Sequence, residues 1–164
     1  MSELIDKMTS FLSERGIPTR FQSLKSDCFL PGLEIDQGIL LIDSEKLKWP
    51  GDILHEAAHI ALNPPSRRAL VSGKLEVSPA DEMAALAWSY AAAVALEIDP
   101  HIVFHEGGYK NGGAQLVTQF AAVAAGRNPV APGVPILQWY RMSQKFPVMH
   151  SWLREVEDPS AAQN

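Results

Sequence analysis

Apolar residues are spaced for a helix at the start of the chain and form short runs soon afterwards. The first segment repeats apolar positions three or four residues apart, which predicts an opening helix that ends at Gly16. Residues 20–43 instead contain three short apolar runs separated by turn residues, at 28–30, 33–35 and 38–42. These runs predict a small, mainly antiparallel sheet.

Proline and glycine breaks bound two further helices. The first is predicted to fill about 12 residues between the break at 49–52 and Pro64. The second begins at Pro79, is capped by Ser78 and continues to about residue 98. Alanines line both helices, so we expect the two to pack directly on each other. Shorter helices are predicted near residues 114–125 and 136–145. The fold class is therefore α+β, with a short sheet packed on these two helices.

Length and charge limit the architecture and the partners. A chain of 164 residues is suited to one domain, predicted over residues 1–157 with a frayed tail at 158–164. The formal net charge is −5, and the largest basic cluster is the pair Arg67-Arg68. Because binding to a phosphate backbone requires a basic face, nucleic acid is not expected as a partner.

The chain carries few signs of export or of a membrane. Cys28 is the only cysteine, so no disulfide forms within the chain, and the N-terminal residues have no apolar signal-peptide core. The longest nearly apolar run, residues 83–96, is shorter than the roughly 20 residues that span a bilayer. We expect a cytoplasmic protein with no membrane partner.

The first of the two predicted helices carries the motif H-E-x-x-H, formed by His55, Glu56 and His59. Histidines four positions apart project from the same side of a helix, where their rings can share one zinc ion. The flanking residues are apolar, and burying two histidines and a glutamate without a partner is costly. The motif therefore predicts a zinc site.

A catalytic zinc normally takes three protein ligands, so a third must come from elsewhere. The metzincin extension is absent, because Leu62 and Pro65 stand where it needs glycine and histidine. Glu82, in the first turns of the alanine-rich helix, is the preferred third ligand. Other candidates are Asp81, Glu76, and an all-histidine site with His101 or His105.

The motif, the later glutamate and the following run D-E-M-A-A-L-A-W-S-Y-A resemble the gluzincin metallopeptidases, and most of all the compact ImmA/IrrE-like peptidases. The resemblance covers roughly residues 52–96. It implies a zincin-like fold, Zn²⁺ held by His55, His59 and Glu82, and Glu56 as the catalytic base. It also implies a peptide or protein substrate, sometimes a regulatory protein. Larger gluzincins often have an acid four residues after the third ligand, where this chain has Leu86, so support for the zinc histidines must come from elsewhere.

The expected chemistry is peptide hydrolysis, with Glu56 taking a proton from a zinc-activated water and passing it to the leaving amine. An oxyanion donor is also needed. His105 and Tyr109 are preferred because they lie in a glycine-rich loop that could close over a cleft. Tyr90 and His101 are the other candidates for this donor. The resemblance also implies an edge strand along which peptide substrates align, for which residues 38–43 are the candidate.

A second hypothesis keeps the scaffold without the activity. In it the chain is a non-catalytic regulatory or interaction module with a structural or vestigial metal site. The sequence names neither the substrate nor the oligomeric state. Metal content and the behaviour of a Glu56→Gln variant separate the two hypotheses.

Overall fold

A computed structural model describes residues 1–25, 27–110 and 112–160. Its helices and strands follow one another in the order α1 (Ser2–Glu14), β1 (Thr19–Phe21), β2 (Leu33–Asp36), β3 (Ile39–Ile42), α2 (Asp52–Ala61), α3 (Pro65–Arg68), α4 (Pro79–Ala95), a 3₁₀ turn (Pro100–Ile102), α5 (Glu106–Tyr109), α6 (Gly113–Ala124) and α7 (Val134–Trp139). The predicted α+β class is confirmed. The predicted tail at 158–164 lies partly outside the described residues.

The sheet is small and mixed. Its strand order is β1-β3-β2, with β3 antiparallel to β2 and parallel to β1. A two-residue turn joins β2 to β3, and both of its residues, Gln37 and Gly38, have positive φ. Such a turn matches the twist of a hairpin, and glycine adopts it without strain. The antiparallel part of the sheet was therefore predictable from local sequence. The parallel partner β1 instead comes from an earlier segment that is not adjacent to β3 in the sequence.

The prediction that residues 38–43 form an edge strand is wrong. Strand β3 pairs on both sides, with Thr19–Phe21 along one edge and Leu33–Asp36 along the other. Its backbone groups are therefore already used by its neighbours, and a substrate peptide has no free edge of β3 to join. The central position also explains why this strand is almost continuously apolar and buried.

The core is built around α2 and α4, which pack directly on each other as predicted. Every alanine of α2 is fully buried, and so are most alanines of α4, whose small side chains let the two backbones approach closely. Ser78 caps α4 by accepting a hydrogen bond from the backbone N–H of Asp81 at 3.1 Å. This pairing fixes how residues on α4 face residues on α2.

The C-terminal segment closes the structure against the same two helices. The indole Nε1–H of Trp88, a fully buried residue of α4, donates to the carbonyl oxygen of Trp152 at 3.1 Å. The backbone N–H of Arg154 donates to the carbonyl oxygen of Ala61 at the end of α2. Among the described residues, no helix has the length and apolar character needed to cross a lipid bilayer.

Candidate metal centre

Helix α2 begins where the chain passes close to residues 102–103. Gly51 precedes the helix, and a Cβ atom at that position would overlap the carbonyl oxygen of Ile102. Asp52 occupies the first turn, where the positive end of the helix dipole favours a carboxylate. The helix then presents His55 and His59 on one side, one turn apart. Only a small part of either ring is exposed.

The direct packing of α4 on α2 brings Glu82 to both histidines. Its Oε1 lies 3.0 Å from His55 Nε2, and its Oε2 lies 3.4 Å from His59 Nε2. The two Nε2 atoms are 3.2 Å apart. Within the described residues, this is the one group of three or more His, Cys, Asp or Glu side chains whose ligand atoms converge, all within 4.8 Å of one another. The three residues predicted as metal ligands are thus brought together.

The spacing of these atoms suits a tetrahedral cation. Tetrahedral bonds of about 2.0 to 2.1 Å place neighbouring ligand atoms roughly 3.3 Å apart. The separation of the two Nε2 atoms, 3.2 Å, and that of His55 Nε2 from Glu82 Oε1, 3.0 Å, lie close to that value, and the other carboxylate oxygen of Glu82 lies 3.4 Å from His59 Nε2. Two imidazole nitrogens and one carboxylate oxygen are also a donor set that zinc accepts. The residues present could therefore hold a zinc ion.

Burial and neighbouring charges shift the pKa values of all three side chains in the metal-free cluster. Burial, followed by the neighbouring positive charge of His55, lowers the pKa of His59. The hydrogen bond from His55 lowers the pKa of Glu82 against the opposing effect of its partial burial. Burial also acts to lower the pKa of His55, but the hydrogen bond and charge of Glu82 outweigh it and raise that pKa.

Glu56 lies on α2 between the two histidines and is mostly buried. Burial raises the pKa of its carboxyl to about 7, and the negative charges of Asp52 and Glu82 act in the same direction. No hydrogen bond or ion pair of its carboxyl appears within the described structure. A carboxyl poised near neutral pH is suited to exchanging protons with a substrate or water.

Tyr109 reaches His55 from the side opposite the cluster. Its hydroxyl lies 3.3 Å from His55 Nδ1, whereas Nε2 of the same ring faces Glu82. Burial raises the pKa of this phenol above its ordinary value, so the hydroxyl stays protonated at neutral pH. The predicted position of Tyr109 near the site thus agrees with the structure, and its nearest polar partner is a zinc-ligand candidate.

His105 lies one turn before Tyr109 and binds a different residue. Its Nε2 lies 2.7 Å from Asp52 Oδ1, and its ring stacks on the indole of Trp49 with centroids 4.5 Å apart and planes 9° apart. The imidazole is 8% exposed, and its Nδ1 has no hydrogen-bond partner within the described residues. Asp52 and Trp49 were not predicted from the sequence as part of the site. The first-turn position of Asp52 on α2, three residues before His55, was the available signal.

The other sequence candidates do not contribute ligand atoms to the cluster. Asp81 accepts hydrogen bonds from Tyr140 and Ser78, His101 is exposed and pairs with Asp99, and Tyr90 packs among aromatic rings in the core. Glu76 is exposed in the segment that connects α3 to α4.

A cleft of about 350 Å³ opens beside His59, between the C-terminal end of α2 and residues 70–77. Its walls include Leu62, Asn63, Arg67, Leu70, Leu75, Glu76, Val77, Asp81 and Arg154. Apart from Glu76 as a candidate ligand, no binding role was predicted for residues 66–77, because an irregular segment gives no periodic signal. The cleft places a binding volume in contact with one of the two histidines.

The chain was also compared with protein-family models, with curated proteins and with solved structures, and none of them matches. The likeness to the gluzincins therefore remains a matter of the motif and of the residues that follow it. Any functional assignment depends on the geometry of the cluster formed by His55, His59 and Glu82.

Proposed function

We propose that this protein is a zinc-dependent peptidase with Glu56 as its general base. The observation that carries the proposal is the convergence of Glu82 on both histidines of H-E-x-x-H, at 3.0 and 3.4 Å. A lone motif is compatible with a purely structural helix. A third donor that converges on both histidines is instead the arrangement expected of catalytic zinc, which keeps its fourth position for water or substrate.

His55, His59 and Glu82 would hold the ion. When bound, zinc supplies a Lewis acid that polarises the scissile carbonyl and acidifies water. Glu56 would accept the proton of the attacking water and deliver it to the leaving amine. Its raised pKa, about 7 without a metal, supports this role because a base works best when its pKa lies near the working pH.

The cleft beside His59 is the proposed place for the substrate. Its walls combine apolar side chains with the irregular backbone of residues 75–77, and Leu70 is 75% exposed. Within the described structure, the backbone groups of Leu75, Glu76 and Val77 make no hydrogen bond to other residues. Because β3 has no free edge, these backbone groups are the proposed partner for an extended peptide.

Metal content is the first test. The metal content of protein purified without added metal is measured by inductively coupled plasma mass spectrometry. Zinc affinity is measured by competition with a chromophoric chelator. We expect one zinc per chain and a loss of affinity of 100-fold or more in Glu82→Ala, with little change in the matched variant Glu76→Ala. A wild-type protein with no measurable zinc affinity would refute the proposal.

Cleavage is the second test, with a randomised library of fluorescence-quenched peptides as the probe. Wild-type protein should cleave members of the library, whereas Glu56→Gln should retain zinc and lose at least about 100-fold in rate, the usual contribution of a general base. Zinc binding without cleavage in the wild type would favour the alternative of a regulatory module with a structural metal.

A further inference from the structure

The two ring nitrogens of His55 have different partners. Nε2 faces Glu82 and His59, and Nδ1 lies 3.3 Å from the hydroxyl oxygen of Tyr109. A cation on Nε2 requires the ring proton to sit on Nδ1, from which it can donate to the tyrosine oxygen. A zinc histidine usually has such a partner, which fixes its tautomer and its orientation. Tyr109 occupies this place.

Tyr109 belongs to a helix that is too short to be stable by itself. Helix α5 spans only Glu106–Tyr109, and a single turn is unstable without tertiary contacts. Its backbone is attached to His105, whose carbonyl oxygen accepts hydrogen bonds from the N–H groups of Tyr109 at 3.2 Å and Gly108 at 3.3 Å. The position of Tyr109 therefore depends on what holds His105.

His105 is held by α2 itself. Its Nε2 is 2.7 Å from Asp52 Oδ1, and its ring lies flat on Trp49. A Cβ atom at Gly107 would overlap the same indole, so α5 rests directly against Trp49. Asp52 and His55 are three residues apart and project from the same side of α2. A continuous set of contacts thus connects Asp52 of α2 to His105, His105 to α5, and Tyr109 of α5 to His55 of α2.

We propose that Asp52, His105 and Tyr109 are positioning residues that together fix the ring of His55 for metal binding. In this role Tyr109 acts on a ligand and does not act as the oxyanion donor. The proposal rests on the proposed metal function of His55. The contact between Asp52 and His105 that holds α5, called the clamp below, can be tested without a metal. The competing interpretation is that the Asp52–His105 pair is a local packing contact with no effect on His55.

The first experiment measures zinc affinity by chelator competition. Tyr109→Phe keeps the ring and removes the hydroxyl, and we expect a 10-fold or greater loss of affinity, within the 10- to 100-fold range typical of such partners. A donor to the oxyanion would instead lower the rate of peptide cleavage and leave zinc affinity unchanged. Unchanged affinity in Tyr109→Phe would overturn the proposal. Tyr90→Phe removes a tyrosine hydroxyl in the core and serves as the control.

The second experiment tests whether Asp52 acts through Tyr109. Asp52→Ala should weaken zinc binding several-fold, and Asp52→Asn should restore most of it, since an amide oxygen can still accept from His105. In the Tyr109→Phe background, Asp52→Ala should add less than 2-fold, because both changes interrupt the same connection. Fully additive losses would overturn the connection. Asp99→Ala, which breaks the exposed pair with His101, is the matched control.

The third measurement needs no metal. In chelator-treated protein, nuclear Overhauser contacts between the rings of Tyr109 and His55 should be present in the wild type, absent in Asp52→Ala and restored in Asp52→Asn. Contacts that persist in a folded Asp52→Ala protein would refute the clamp. If wild-type protein binds no zinc but shows this pattern, the metal function fails while the clamp stands. His105→Gln provides a second break if Asp52→Ala does not fold.

Discussion

Replacing Glu56 by glutamine should stabilise the metal-free protein at neutral and alkaline pH. Burial raises the pKa of this carboxyl from an ordinary value of 4.5 to about 7 in the folded chain. The folded state therefore binds a proton more tightly than the unfolded state does. The resulting stability is fully present below pH 4.5 and is lost as the pH rises through about 7. Glutamine is neutral throughout and loses nothing over this range.

The size of the effect follows from the two pKa values. The pKa of Glu56 rises by about 2.5, and each step of one in pKa is worth about 1.36 kcal/mol. The ionised carboxylate therefore lowers the free energy of unfolding by about 3 kcal/mol at pH 8. Water that reaches the partly buried carboxyl reduces this figure, so we expect a difference of about 1 to 3 kcal/mol. At pH 4 the two proteins should differ only by the small constant effect of the amide.

The assay is urea unfolding of chelator-treated wild type and Glu56→Gln at several pH values between 4 and 8. The quantity to compare is the difference in unfolding free energy between the two, which cancels the titration of groups they share. Glu45→Gln, a change at an exposed carboxylate, is the control. A difference that stays constant from pH 4 to pH 8 would refute the burial argument for Glu56.

Three further predictions concern the framework of the site. Gly51→Ala should destabilise the protein by about 1 to 3 kcal/mol in thermal unfolding, because its Cβ would displace the start of α2. Trp88→Ala should cost about 3 to 5 kcal/mol in urea unfolding, since this side chain is fully buried. Asp43→Asn should lower stability at pH 7, with the deficit shrinking below pH 3.8, because a hydrogen bond from the backbone N–H of Leu24 lowers the pKa of Asp43. Acid titration of the unfolding midpoint measures this last effect.

Much of the ligand set was predictable because it depends on local signals. The positions of His55 and His59 follow from helical periodicity, and the start of α4 follows from a serine cap followed by proline. Alanine on both helices then predicted their close packing, which brings Glu82 within reach. Each step needs only nearby residues and one contact between two elements.

The surroundings of the ligands were not predictable in the same way. Strand β3 is central because β1 joins it in parallel, and such pairing across a connection leaves no mark in a short window of sequence. The contacts of His105 with Asp52 and Trp49 join residues more than 50 positions apart in the sequence, and His105 itself lies outside the helices and strands. The glycines near residues 107–113 indicated a loop without indicating which surface it covers.

The metal-ligand candidates and the residues around them should respond differently to substitution. The donors of the proposed centre sit on two long helices joined by buried alanines, so their separation is set by packing that costs kilocalories to disturb. The partner of His55 instead sits on a single turn held by His105. Loss of that turn would leave Glu82 and both histidines in place while freeing one imidazole to rotate. Changes in residues 105–109 should therefore alter zinc affinity with little effect on global stability, whereas changes at the α2–α4 contact should lower both together.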